Sequence, residues 1–420
     1  STITIAGIAS VTSSVTAPSF VGAVTGNVTG NVTGNADTAS GLSGNPSINT
    51  TGIVTATSFV PTTGQLSHRN LVINGAMMVS QRGTSFSGTA QRYTLDRMQT
   101  NTVGNDEIAQ TEQATVTSGG AYTSGFRKCM KIINGNQTSG AGAGDIVHLK
   151  MVLEAQDIAN SGWNYTSSSS FITLSFWIKS SVAQDFPITL RSEDGTRQVY
   201  NMTTGSLTAD TWTKITKTIP GNSNLQFDDD VNDGLTLFVN AFVGTNYTTA
   251  GLAQNAWSAW SGTKQGDNMT STWYTTNNAT LEITGIQLEV GSVATPFEHR
   301  SYADELHRCH RYYQKLSGDA LTYYGVGNVD GGTMNQIFVH FITEMRAAPG
   351  TMDTSGTAGD YTVRMNSNAT CTSVPVLSNR TTKNAMVIFY AAGHGFTNGQ
   401  AVFARAANNT NGFLGFSSEL

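Results

Sequence analysis

Polar and apolar residues alternate at period two along most of the chain, and long helical stripes are absent. In residues 26–37 the run Gly-Asn-Val-Thr, Gly-Asn-Val-Thr, Gly-Asn-Ala-Asp places Gly26, Val28, Gly30, Val32, Gly34 and Ala36 on one side of an extended strand. Asn, Thr and Asp face the other way. One copy buries too little area to offset its ordering entropy, whereas several copies around a common axis bury the small face together. The pattern predicts a β-rich shaft over residues 1–68, with Val28 and Val32 at the axis of a parallel homotrimer. A flexible Gly/Ser/Thr linker is the competing reading, and the regularly repeated valines argue against it.

Candidate strands then recur at 71–73, 128–133, 146–153, 172–178, 188–191, 213–218, 235–242 and 280–290, separated by turn clusters such as Glu193-Asp-Gly195. Residues 154–159 are expected to form one helical turn. Many strands at regular intervals predict a jelly-roll β-sandwich over residues 69–300. Phe176 and Trp177 are neighbours on one strand and cannot share a face, so one ring is expected to cover a neighbouring domain or subunit. Ser301-Tyr-Ala-Asp304 resembles a capping box. From it, Tyr302, Leu306, Cys309, Tyr313 and Leu316 fall on one helical stripe, which predicts a short helical connector over 301–315; its tyrosines equally fit the start of the first strand of the next domain. Further strand candidates at 321–326, 336–341, 361–365, 385–390, 401–406 and 413–416 predict a C-terminal β domain over 316–420, distal in an elongated, mostly β fibre.

Composition sharpens this picture. Charged residues make up only 12% of the 420, while Gly alone contributes 44, so neutral-faced strands and turns outweigh charged helices. The net charge of -5 lacks a basic block, which excludes nucleic-acid partners. No apolar run reaches the ~20 residues of a membrane-spanning helix, so membrane insertion is not expected. Cys129, Cys309 and Cys371 are odd in number and far apart, and fit free thiols better than a disulfide framework.

Two stretches carry a resemblance. Asn70-Leu-Val-Ile-Asn-Gly-Ala-Met77, Ser80-Gln-Arg-Gly83 and Tyr93-Thr-Leu-Asp-Arg97 look like the opening strands of jelly-roll modules in bacteriophage tail fibres. Leu281-Glu-Ile-Thr-Gly-Ile-Gln-Leu-Glu-Val-Gly291, Ala294-Thr-Pro-Phe-Glu298 and Arg300-Ser-Tyr302 look like the closing strands. Ile172-Thr-Leu-Ser-Phe-Trp-Ile178 and Asp210-Thr-Trp-Thr-Lys214 are similar to carbohydrate-binding-module sandwiches, and the repeat resembles fibres of marine cyanophages and related podoviruses. The resemblance implies a homotrimeric virion component, assembled in the host cytoplasm and joined to tail or adaptor proteins. It further implies attachment to a host surface glycan or outer-membrane receptor, without catalytic residues. A polysaccharide depolymerase of tailspike type and a purely structural tail spacer are the alternatives.

Candidate chemistry is sparse. Trp257, Trp260, Trp273 and Tyr274 concentrate rings in one Gly/Ser/Thr/Asn-rich stretch, as a glycan site does; a lid folded onto the sandwich core is the other reading. Asp228, Asp230 and Asn232 offer oxygens of the kind Ca²⁺ takes, but Asp233 and Val239 stand where an EF-hand loop needs Gly and Glu. A solvated acidic turn is the favoured reading there, a structural Ca²⁺ the alternative, and no other cofactor is expected. His307, Cys309 and His310 do not share one helix face, and His394 has no nucleophile beside it.

Overall fold

Alternating burial along the strands builds two antiparallel sheets that close on each other. The computed structural model describes residues 68–88, 91–392, 395 and 397–420, so the shaft repeat with Val28 and Val32 lies outside the described residues, as does His394. In spatial order the first sheet contains Ser85–Phe86, Gln110–Thr115, Lys128–Ile133, Thr280–Val290, Phe171–Ser180 and Thr213–Pro220. The second contains Trp257–Ala259, Gln198–Thr203, Pro187–Ser192, Asp233–Val243, Ile146–Glu154, Gln99–Val103 and Gln91–Tyr93. The chain passes repeatedly between the two sheets, with hairpins such as Gln110–Thr115 to Lys128–Ile133 and Pro187–Ser192 to Gln198–Thr203 staying within one, giving the expected jelly-roll sandwich.

Between the sheets lie Ile172, Leu174, Phe176 and Ile178 from one side and Leu149, Leu190, Leu235, Leu237 and Val239 from the other. Each side chain of this size contributes about 1.5–3 kcal/mol on burial. Phe176 thus faces the core and Trp177 the outer surface. Trp177 packs with Ala121, Phe126, Trp212 and Phe297, so the second ring is covered by the chain's own loops and short helix Gly119–Thr123. The expected strand at 71–73 is irregular; the Leu71 N–H donates to the Leu288 carbonyl, and the Asn70 side chain beside it donates to the Ile286 carbonyl and accepts the Leu288 N–H.

The expected connector is also revised. Ser301 Oγ accepts the Asp304 N–H and caps a helix, Tyr302–His310, that ends before Tyr313. Tyr313 and Leu316 belong to a strand, Tyr313–Ser317, while Tyr302 is 56% exposed. The helix docks through Glu305, whose carboxylate accepts the Asn74 N–H and lies 3.6 Å from Arg300, rather than through an apolar stripe.

Beyond it a three-stranded sheet, Tyr313–Ser317, Phe413–Ser417 and Thr351–Thr354, packs on a seven-stranded one. The latter runs Asn368–Thr370, Tyr361–Arg364, Ala401–Ala406, Tyr323–Asp330, Met334–His340, Asn384–Tyr390 and Val376–Arg380. Tyr361, Val387, Phe389, Leu414 and Phe416 form this terminal lobe's own core. No helix among the described residues is long and apolar enough to cross a membrane.

Candidate functional site

The motifs that carried the resemblance converge on the joint between the two lobes, where they bond to backbone. Arg300 donates to the carbonyls of Val72 and Asn70, and Asn74 donates to those of Val79 and Asp96. Gln81 bridges the Asp96 carboxylate and the Tyr313 carbonyl at 2.5 and 2.8 Å. Arg97 is buried against the Tyr312 ring, 3.4 Å from its centroid, and pairs with Glu419. Arg311 grips Glu154 with two bonds of 2.7 Å. These residues form a clamp, and their polar atoms are engaged within the protein.

The tryptophan-rich stretch divides. Trp273 and Tyr274 are 0% and 1% exposed on the short helix Thr272–Thr275. Trp273 donates its indole N–H to the Thr280 carbonyl, and Tyr274 stacks on Phe242 at 4.3 Å and donates to Asp145. Neither offers a face to a sugar, so both leave the candidate set as part of the lid. Trp257 is half-buried against Tyr200 and bonded to the Pro220 carbonyl. Trp260 keeps partial exposure at the rim, its ring flanked by Arg191 and Arg197 at 5.2 and 5.9 Å.

At the acidic turn, Asp230 accepts from Asn232, and Asp228 accepts from Gln226. Among the described residues no group of three or more acidic, His or Cys side chains is arranged to hold a metal. Glu193 pairs with Arg191 and Arg197, while the neighbouring Asp194 accepts the Asp228 N–H. The three cysteines are free and buried.

What sequence reading missed is a cleft of about 710 Å³ beside the clamp. The sandwich contributes Arg82, Phe86, Arg92 and Tyr93; the terminal lobe contributes Tyr313, Thr351, Met352, Asp353, Thr354, Phe413 and Ser417. Tyr313 is the buried floor, and its hydroxyl lies over Gly415, where any Cβ would collide with it. Burial and then the Asp353 carboxylate push the Tyr313 hydroxyl well above its ordinary pKa, so it stays protonated. Phe86, Tyr93 and Phe413 are half-buried walls.

Among the described residues no ring–ring contact joins these four aromatics. Cations stand against them: Arg82 lies 3.6 Å from the Tyr313 centroid, Arg92 5.6 Å from that of Phe86, and Lys315 4.3 Å from that of Phe413. Arg82 is neutralised by Glu419 at 3.2 Å, whereas Arg92, among the described residues, donates to the Ser87 carbonyl and pairs with no carboxylate. Burial lowers the Arg92 pKa. Flat apolar faces beside hydroxyls, a guanidinium fork and one carboxylate suit a polyhydroxylated ligand with C–H faces. By contrast, a groove of about 480 Å³ beside Trp177 has Phe126, Phe297 and His299 packed on one another at 4.8–5.2 Å. Those rings serve the fold.

Fold and site together define a two-lobed antiparallel β protein with a ring-lined polar cleft at its joint. No protein-family model matches the chain, and no curated protein does. Among solved structures it is similar to the enzymatically active domain of tailspike protein 4 of bacteriophage CBA120, at 8% identity and a TM-score of 0.28. That match covers 53% of this chain and 21% of the other, so the chain spans about a fifth of the tailspike length. It is similar to the N-terminal cellulose-binding domain of Cellulomonas fimi β-1,4-glucanase C, at 10% identity and TM-score 0.25, over 52% of this chain and 99% of that one. The N-terminal CBM22-1–CBM22-2 tandem domain of Paenibacillus barcinonensis Xyn10C matches at 12% identity and TM-score 0.25, over 86% of this chain and 100% of that one.

Proposed function

We propose that the chain is a non-catalytic segment of a phage tail fibre, a virion component that attaches to host-surface glycan through the cleft between its lobes. The observation that carries the glycan reading is the cleft's lining: three half-buried aromatic rings, Phe86, Tyr93 and Phe413, that make no contact with each other, set among hydroxyls and cations above the buried Tyr313. A pyranose ring stacked on Phe86 or Phe413 places its hydroxyls within reach of Arg92, Asp353, Thr351 and Thr354. Glycoside hydrolysis in its usual form needs two carboxylates flanking the bond, and Asp353 is the one carboxylate among the lining residues. That supports binding over cleavage. Three copies joined through the shaft repeat would multiply a shallow site into useful avidity. The reading is tested by glycan-array binding and cell adsorption of the full chain beside Phe86→Ala and Arg92→Gln. Loss of both signals at unchanged melting temperature supports it; undiminished binding by both variants refutes it.

A further inference from the structure

The seven-stranded sheet of the terminal lobe buries one face against its three-stranded partner and leaves the other uncovered. On the open face the register aligns Arg364, Phe403, Val326, Phe338 and Met386 as one row across five strands. The adjacent row carries Asn328, Gln336, Ile388 and Val376. Phe403 is 47% exposed, Val326 50%, Phe338 40% and Val376 48%. Tyr323, 48% exposed, extends the patch, with its ring 5.6 Å from Phe403 and its hydroxyl taking a bond from Arg364.

Burying half a ring removes roughly 100 Å² of apolar surface, so the three rings and two valines together offer roughly 450 Å². A specific interface covers about 800 Å² per partner, of which a little over half is apolar. The patch therefore matches the apolar share of one complete interface, and its size is that of the largest patch on a typical monomer, which is often functional. Its centre lacks charge, and the sheet surface is continuous, which favours packing against a like surface over recognition of a hydrated sugar.

We infer that this face is a self-association surface whose occupant is a second copy of the same chain. The inference rests on the trimeric reading of the shaft repeat and adds a second, independent contact at the other end of the sequence. Copies set around one axis with this sheet inward bury the Phe403–Val326–Phe338 row at their centre. The lobe then contributes to holding the assembly together, and receptor contact falls to surfaces away from the axis.

The test uses the full chain. Light scattering across protein concentration compares the wild type with the double variant Val326→Asp, Phe403→Asp, with circular dichroism confirming that the variant keeps its β signature. Separately, a thiol introduced by Val326→Cys is compared for reaction with a bulky maleimide against one introduced by Thr216→Cys on the sandwich surface. Expected are dissociation of the double variant at concentrations about tenfold or more above the wild type, and protection of the thiol at position 326. An assembled double variant with wild-type dissociation, together with equal reactivity of the two thiols, overturns this surface while leaving the shaft-based trimer standing. A wild type that is monomeric throughout overturns both. If the double variant does not fold, thiol protection alone decides.

Discussion

In the sandwich, the ring that strand alternation sends outward, Trp177, is covered by the chain's own helix Gly119–Thr123 and by Phe297. The outward face of the second sheet is closed in the same way: the Gln265 carbonyl accepts from Thr189 and Asn240, and His148 and Phe238 are nearly inaccessible. The terminal lobe has the same alternation, yet Phe403, Val326 and Phe338 stand open. An outward ring thus has two fates. Where long loops connect the strands, the chain covers its own outward rings; where hairpins such as that between Tyr323–Asp330 and Met334–His340 are short, the outward rings stay exposed.

The comparison breaks first at the sandwich lid. Trp273→Ala removes a fully buried ring and should cost about 3–5 kcal/mol, read as a fall in the denaturant midpoint. A loss below 1 kcal/mol would mean the loop is a surface element after all. Arg97→Ala should cost a similar amount, about 3–5 kcal/mol, because Glu419 is then left buried without its partner. That variant tests whether the two lobes melt together: one transition in the wild type should become two if the clamp couples them.

Closed outer faces also leave a pH signature. Burial, with Lys150 and Arg191 nearby, pushes the His148 pKa from 6.5 down to about 3. The unfolded chain therefore takes up a proton that the folded one refuses, and acidification from pH 7 to 5 should cost about 2 kcal/mol through this residue. Asp96 acts oppositely: burial raises its carboxyl to about 6, so the folded state gains about 1 kcal/mol over the same span. His148→Gln should make the protein gain stability relative to wild type on acidification, and denaturant midpoints at the two pH values check it. Identical pH dependence would contradict the burial of His148. The smallest effect is expected at the rim, where Trp260→Ala should change stability by less than about 1 kcal/mol.

Much of the fold was legible in the sequence because alternation reports burial directly. The strands Lys128–Ile133 and Thr280–Val290 were placed to the residue, and the cap at Ser301 was read from its spacing to Asp304. Strands such as Gln99–Val103 and Gln110–Thr115 were not found, since their inward positions are threonines that bond to each other instead of apolar side chains. The stripe from Tyr302 to Leu316 spans two elements, the helix Tyr302–His310 and the strand Tyr313–Ser317, so spacing alone left open at Tyr313 a choice that the structure settles as strand.

The site was less legible. Local density of tryptophan suggested residues 257–274, but density measures only how many rings a loop holds, not which way they turn. The cleft draws Phe86, Tyr93, Tyr313, Asp353 and Phe413 from segments far apart in sequence, each with one ring or one charge and no local pattern. Only the folding of the terminal lobe onto the sandwich brings them together. Arg82 and Tyr93 lie in motifs that resemble fibre modules, yet those motifs are explained by the clamp.

The central claim is that the joint between lobes, not the tryptophan-rich lid, holds the glycan. The most direct measurement is a crystal structure of the chain with the oligosaccharide it binds best on a glycan array. A sugar ring stacked on Phe86 or Phe413, with hydroxyls in hydrogen-bond range of Arg92 and Asp353, is the predicted result. Sugar density at Trp260 or beside Trp177, with the cleft holding only solvent, would contradict the account.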